Sequence, residues 1–296
     1  MRRLLPRFLL GLLIAIAIVI GILFAIARPA PDHAFFTQSP PRPLVIAHQG
    51  GDGLWPGETL FAYRNAQVMG VDMLEGDVHI TQDGVLILMH DESVDRTTDG
   101  EGLISDLTLK QIRALDAGYD WTPDGGASTP YRGKGIGVAT LEEIFKAFPG
   151  SLMNLEIKKS AIPLIEPLCR LIRQYNMEDK VLIASFYADK MQEFRTFCPE
   201  IATSATQDEV IAFFVWQTLF LELGYSPSEL ATQVPETRDG LTVVTQHFVE
   251  AAHRRNMEVH VWTVNEQADM ERMLALGVDG IITDYPDRLL ELLGRK

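Results

Sequence analysis

The chain has 296 residues, with 40 acidic against 26 basic side chains and a formal net charge of -14. Arg2, Arg3, Arg7 and Arg28 precede every acidic residue, so the rest of the chain is more acidic still. A surface of that sign repels nucleic acid and anionic lipid at long range, which excludes a nucleic-acid partner, and it suits a bound divalent cation.

In chain order, residues 1–7 form a basic tail. Phe8 to Ala27 is then an uncharged run of about twenty residues, ~30 Å long as a helix and thus the thickness of a bilayer core. The arginines before it favour the cytoplasmic side. A single-pass transmembrane anchor here puts the rest of the chain in a periplasmic or extracellular setting. A cleaved signal peptide is the alternative, with Ala25-Ile26-Ala27 as a small-residue cleavage site. Residues 28–43 hold Pro29, Pro31, Pro40, Pro41 and Pro43 and read as an extended tether. No composition break, low-complexity tract or repeat divides the remainder of the chain, so one domain is expected over 44–296. Cys169, among Leu168, Leu171 and Ile172, reads as a buried apolar thiol. A disulfide with Cys198 is allowed outside the cytoplasm, but nothing in the spacing calls for one.

From Leu44 onward, strand-like and helix-like segments take turns. Leu44 to Ala47, Asp72 to Val78 and Val85 to Met89 read as strands, with an amphipathic helix from Thr59 to Met69. Thr140 and Glu143 form a capping box at the start of a helix over Leu141 to Phe148. Strands follow at Leu152 to Ile157, Val181 to Ser185, Ile201 to Thr203, Glu258 to Val264 and Val278 to Thr283. The weakest strand assignment is Ala231 to Val234. Helices are expected between them, including a long one from Asp208 to about Leu223. Apolar strands alternating with helices indicate parallel βαβ units. About eight such units over ~250 residues fit a closed (β/α)₈ TIM barrel. The stretch from Asp91 to Ala139 breaks the rhythm and reads as an inserted segment after the second strand. Rich in Gly, Thr and Asp, and holding Tyr119, Trp121 and Tyr131, it would form a lid or wall on the catalytic face.

Ionisable residues fall where the apolar runs end: His48 after the first, Glu75 and Asp77 in the second, His90 after the third, and Glu156 in the fourth. Side chains two apart on a strand share a face, so Glu75 and Asp77 point the same way. With Glu156 they offer an all-oxygen donor set, which selects Mg²⁺ or Ca²⁺ over zinc. His48 and His90 suit proton transfer, because an imidazole titrates near neutrality. Lys158 lies on the face of Glu156 and can meet phosphate oxygens. Glu58, Trp262 and Trp121 are candidates for the pocket wall.

These residues lie inside stretches that resemble the glycerophosphodiester phosphodiesterase family. The resemblance runs through His48-Gln49-Gly50 and Pro56-Gly57-Glu58-Thr59, then Glu75-Gly76-Asp77-Val78 and Met89-His90-Asp91. It continues through Asn154-Leu155-Glu156-Ile157-Lys158, Trp262-Thr263-Val264-Asn265 and Thr283-Asp284-Tyr285-Pro286, over about Leu44 to Leu290. It implies a barrel with an insertion after the second strand and hydrolysis of glycerophosphodiesters to glycerol 3-phosphate and an alcohol. It further implies one Mg²⁺ or Ca²⁺ on Glu75, Asp77 and Glu156, with His48 and His90 as the acid–base pair. His48 is then the expected base and His90 the acid, with the substrate's own glycerol hydroxyl as nucleophile. Lys158 would contact phosphate. Gln49 stands where the family has an arginine that holds phosphate, and the acid of the Pro-Glu-Asn-Thr motif is displaced by one place to Glu58. Two other functions fit the same residues. One is a lysophospholipase D acting on membrane lysophospholipids, with the insertion's aromatic residues holding an apolar chain. The other is a catalytically silent barrel used for surface binding. No protein partner can be named from the sequence.

Overall fold

The computed structural model describes residues 5–295, without the side chains of residues 5–10, 13 and 16. After α1 (Leu5–Ile26) and a one-turn α2 (Ala34–Thr37), the barrel begins with β1 (Leu44–Ala47) and α3 (Leu60–Met69). Next come β2 (Met73–Ile80), β3 (Leu86–Leu88), α4 (Leu109–Ile112) and α5 (Leu141–Ala147). The middle of the chain is β4 (Leu152–Ile157), α6 (Ile165–Gln174), β5 (Val181–Ala184), α7 (Ala188–Phe197), β6 (Ala202–Thr203) and α8 (Gln207–Thr218). A 3₁₀ turn at Glu222–Gly224 leads to β7 (Ala231–Pro235) and to a hairpin of β8 (Thr237–Arg238) and β9 (Leu241–Thr242). The chain closes through α9 (Gln246–Arg254), β10 (Glu258–Trp262), α10 (Gln267–Leu276), β11 (Gly280–Thr283) and α11 (Pro286–Leu292).

The strands run in the order β6-β5-β4-β2-β1-β11-β10-β7. Each neighbouring pair on that path is parallel. A single bridge from Ser204 to Ala231 spans the remaining gap between β6 and β7, which nearly closes the barrel. Strands covered on both faces are largely apolar, and β1, β2, β5 and β11 are buried at every residue, with Glu75, Asp77 and His79 of β2 and Thr283 of β11 as the polar exceptions. Threonine N-caps start α3, α5, α8 and α9, while left-handed Gly70 and Gly277 end α3 and α10.

Four local readings of the sequence change. Leu86–Leu88 is a strand, but it pairs antiparallel with β2 and lies off the barrel path. The turn at Gln82 to Gly84 is too short for a parallel crossover, so the chain folds straight back. The proline-rich segment is docked on the barrel. Phe35 is fully buried, Ala30 N–H donates to Arg255 O at 2.8 Å, and Arg42 pairs with Glu258. An apolar side chain on an extended segment gains more by packing than by remaining solvated. The long helix expected to reach Leu223 stops at Thr218, because Phe220 adopts a left-handed φ of 58°. Cys169 and Cys198 are disulfide-bonded, with Cα atoms 6.1 Å apart and 29 residues of separation. The packing of α6 against α7 brings them together, which spacing along the chain does not reveal.

The anchor expected at 8–27 falls in α1, which ends at Ile26, and the side chains of residues 8–10, 13 and 16 are outside those described. Among the described residues, no helix is long and apolar enough to cross a membrane.

Replacing both cysteines by alanine is expected to lower the unfolding free energy by about 3.6 kcal/mol, the entropy of closing a loop of roughly thirty residues. Urea denaturation measures it, and a change well below ~1 kcal/mol would show that the bond adds nothing.

Candidate active site

Every barrel strand ends on the same rim, and the site is built on the inner faces of β2 and β4. Their register places Glu75 opposite Asn154 and Asp77 opposite Glu156. Neighbouring strands are only ~4.8 Å apart, so Asp77 and Glu156 are adjacent like charges. Lys158 resolves the conflict: its Nζ lies 2.9 Å from Asp77 Oδ1 and 3.0 Å from Glu156 Oε1. Burial alone would lower the lysine's pKa, but the two carboxylates hold it above its usual value. Burial first, then Asp77, raises Glu156. Glu75 is pushed from 4.5 to about 8, by burial first and by Asp77 second.

The strand is braced from behind. Glu58 is 5 % exposed, accepts a 2.6 Å bond from Tyr63 O–H and a 2.9 Å bond from the Asp77 backbone N–H. Its φ of 59° lets the displaced acid turn inward. A Cβ at position 76 would collide with the Tyr63 hydroxyl and lie 3.0 Å from Glu58 Oε2, which requires glycine between the two acids. Gln49 is likewise left-handed, with φ 52°, and its N–H donates to Glu75 Oε2 at 2.8 Å.

Each catalytic candidate histidine has a carboxylate partner. His48 Nδ1 donates to Asp284 Oδ1 at 2.6 Å, and Asn265 Nδ2 holds the other oxygen of Asp284, also at 2.6 Å. His90 Nδ1 donates to Asp91 Oδ1 at 2.8 Å, while Arg96 Nε binds Asp91 Oδ2 at 2.6 Å. The Arg96 hydrogen bond is the largest cause holding Asp91 down at about 2, so it stays ionised. The rings of His48 and His90 face each other edge to face, 6.4 Å between centroids. His90 arrives there because β3 turns back and the residue before it, Met89, donates to Asp77 O at 2.9 Å. Burial opposes charge on His48, but Glu75, the Asp284 hydrogen bond and Asp77 outweigh it and raise the pKa from 6.5 to about 9.

A cavity of about 1140 Å³ gathers His48, His90, Glu75, Asp77, Glu156 and Lys158 on its wall, with Trp262 beside them. Gln49, Glu58 and Trp121 are not on that wall. Gln49 and Glu58 line a second, much smaller space behind it. Trp121 donates from Nε1 to Asp52 O at 2.7 Å and packs on Tyr131, which packs on Phe61 of α3. Trp121 and Tyr131 therefore buttress the loop after β1 instead of holding an apolar chain in the cavity. Their spacing in a loop carried no information about which way they would face.

Sequence reading assigned no role to Asp284, Asn265, Asp91, Arg96 or His79. Asp284 follows the apolar run Ile281-Ile282, the same signal that marked Glu75, and was available. His79 was also available, two residues beyond Asp77 on the same face. It is 4 % exposed, its Nε2 has no hydrogen-bond partner, and burial lowers its pKa to about 4.

Among the described residues, no group of three or more His, Cys, Asp or Glu side chains converges as a ready cation site. The expected grip by Glu75, Asp77 and Glu156 is thus not formed as it stands, because Lys158 bridges Asp77 and Glu156 while Glu75 is drawn to Gln49 N–H. The donor chemistry nevertheless fits a hard divalent cation. The buried Glu75 and Asp77 and the half-buried Glu156 crowd one wall, and Asp77 Oδ2 is buried without any hydrogen-bond partner.

The chain belongs to the glycerophosphoryl diester phosphodiesterase family, whose model matches residues 48–288. The glycerophosphodiester phosphodiesterase of Caldanaerobacter subterraneus is 33% identical over 255 residues, covering 84% of this chain and 97% of that protein. A human lysophospholipase D is 26% identical over 273 residues, covering 84% of this chain and 85% of its own. The crystal structure of a Silicibacter pomeroyi protein, provisionally described as a glycerophosphoryl diester phosphodiesterase, superposes with a TM-score of 0.73 at 26% identity, covering 88% of this chain and 97% of that one. The protein is accordingly a phosphoric diester hydrolase that acts on glycerophosphodiesters.

His48 and Glu75, 4.0 Å apart, act as a pair that binds protons more tightly in the folded chain than in the unfolded one. Their contribution to stability is lost as pH rises through about 8 for Glu75 and about 9 for His48. The protein stripped of divalent cations is expected to lose stability between pH 4.5 and about 9. Asp284→Asn should flatten the upper part of that decline. Urea midpoints across the range measure both, and a midpoint independent of pH contradicts the assignment.

Proposed function

We propose that hydrolysis proceeds by proton transfer between the two histidines across a cation-dependent phosphate site, releasing glycerol 3-phosphate and an alcohol. The observation that carries this reading is the pair of Asp–His dyads facing each other at 6.4 Å above the buried carboxylates. Asp91 fixes the His90 Nδ1–H tautomer, which leaves Nε2 as the proton acceptor. His48, raised to about 9, is the better donor at neutral pH. This order reverses the roles expected from the sequence.

In the forward step, His90 takes the proton of the attacking hydroxyl, the glycerol hydroxyl of the substrate itself. The new O–P bond forms, the P–O bond to the alcohol breaks, and His48 gives its proton to the departing oxygen. Water then opens the cyclic phosphate with the two roles exchanged. Glu75, Asp77 and Glu156 would hold one Mg²⁺ or Ca²⁺, which when bound stabilises negative charge on the phosphate oxygens. Lys158 neutralises the carboxylates and presents a positive charge to phosphate, and Trp262 walls the cavity. Gln49 supports phosphate binding only indirectly, through its N–H to Glu75.

A second reading, hydrolysis of lysophospholipids, is favoured by the size of the cavity and by the apolar part of its wall, which includes Val210, Phe214, Val234 and Val243. We propose also that α1 anchors the protein in a membrane with the barrel on the extracytoplasmic side. The uncharged run after three arginines and the disulfide both support that placement.

His48→Ala and His90→Ala are each expected to lower kcat on glycerophosphocholine by ~100-fold or more. On glycerophospho-p-nitrophenol, whose leaving group needs no proton, His48→Ala should recover most of the rate and His90→Ala should not. Equal losses on both substrates would sink the assignment. Chelation of divalent cations should abolish turnover, and Mg²⁺ or Ca²⁺ should restore it; activity that survives chelation excludes the cation.

A further inference from the structure

A surface helix of a globular protein normally has one apolar and one polar side. α8 does not. From Val210 to Leu221 there is no charged residue. Phe213 is buried against the barrel, yet Ile211, Val215, Leu219, Phe220 and Leu223 on the outer side are 46–73% exposed. The stripe 211-215-219 recurs every four residues, one face of the helix, and the turn through Phe220 and Leu223 prolongs it.

Both ends of this stripe meet something apolar. At the catalytic end, Ile211 and Val215 are part of the wall of the active-site cavity. Leu241 of the β8–β9 hairpin, 62% exposed, extends the face across the mouth. At the opposite end, Gly224 lies under Trp216 and Phe24, where a Cβ would come within 2.9 and 3.1 Å of their rings. Phe24 belongs to α1, so α1 leaves the barrel where the stripe ends. A contiguous apolar face of this kind on a soluble domain marks a contact with a partner or a bilayer.

We propose that this face docks the barrel on a lipid bilayer, side-on, so that the cavity mouth opens at the bilayer surface and takes phosphodiesters from lipids without their release into water. The proposal rests on the reading of α1 as an anchor, and continuity with α1 is what selects a bilayer over a protein partner. Attachment at one end of the stripe holds the other end near the same surface. The acidic charge of the domain gives no electrostatic attraction to anionic lipid, so docking depends on apolar insertion, is retained on zwitterionic vesicles and is insensitive to salt.

The test uses the full chain reconstituted in phosphatidylcholine vesicles, with nitroxide labels on Leu219→Cys and, as control, Val68→Cys, an 88% exposed position on α3. Docking is supported if the label at 219 meets the lipid phase while that at 68 stays in water. Aqueous exposure of both overturns it, and so does spin–spin broadening at 219, which would mean that a second copy covers the face. The combined variant Leu219→Gln, Phe220→Asn, Leu223→Gln lies off the cavity wall. It should keep its rate on soluble glycerophosphocholine within about twofold and lose about fivefold or more on lysophosphatidylcholine held in vesicles. Equal effects on both substrates overturn the proposal. If the unaltered protein hydrolyses neither substrate, the phosphodiesterase reading fails while the label depths still decide the docking.

Discussion

The structure turns on one conflict, the placing of Asp77 beside Glu156 on adjacent parallel strands. Two carboxylates at that spacing repel, and burial removes the water that would screen them. Lys158 offsets the repulsion within the chain, and a divalent cation would do so more strongly. Everything around the pair holds this arrangement. Glu58 and Tyr63 fix the backbone of β2 from behind, and Gly76 leaves room for them to approach. Glu75 is tied to the loop after β1 through Gln49 N–H, so the His48 loop and the carboxylate strand move as one body. The departures of this chain from its family sit in this support. Gln49 and Glu58 bear on how the carboxylate strand is held, through Gln49 N–H to Glu75 and Asp77 N–H to Glu58.

The two histidines show how environment separates identical side chains. His48 is flanked by Asp284, Glu75 and Asp77, and the sum of these charges exceeds the cost of burial, keeping a proton on the ring. His90 sits at the more exposed end of the hairpin, and its partner Asp91 is shared with Arg96, which draws off part of that carboxylate's charge. In the proposed mechanism the two rings would serve as donor and acceptor, and what distinguishes them is their second partners rather than the histidines themselves.

The distribution of apolar surface changes the picture of how substrate arrives. The insertion after β3, through Trp121 and Tyr131, supports the β1 loop and stands away from the cavity. The apolar part of the cavity wall comes instead from α8 and the β8–β9 hairpin, on the opposite half of the barrel. That half also receives α1, whose Phe24 lies against Gly224 beside Trp216 of α8.

From the sequence alone, the alternation of apolar strands and capped helices determined parallel βαβ units, a pattern an open doubly wound sheet shares, and the polar residues at successive strand ends favoured the barrel. The family and the main site residues were equally legible, because they stand at strand ends where side-chain alternation settles which face they take. Even the weak strand at Ala231 to Val234 is present, as β7. Tertiary structure alone decided the disulfide, whose cysteines meet only through the packing of α6 on α7, and the inward turn of Glu58, which depends on a left-handed backbone. It also decided the partners of His48 and His90, the outward packing of Trp121 and the exposed apolar side of α8. Local periodicity tells which residues share a face, but what that face meets depends on chain segments far away in sequence, and no spacing rule carries that information.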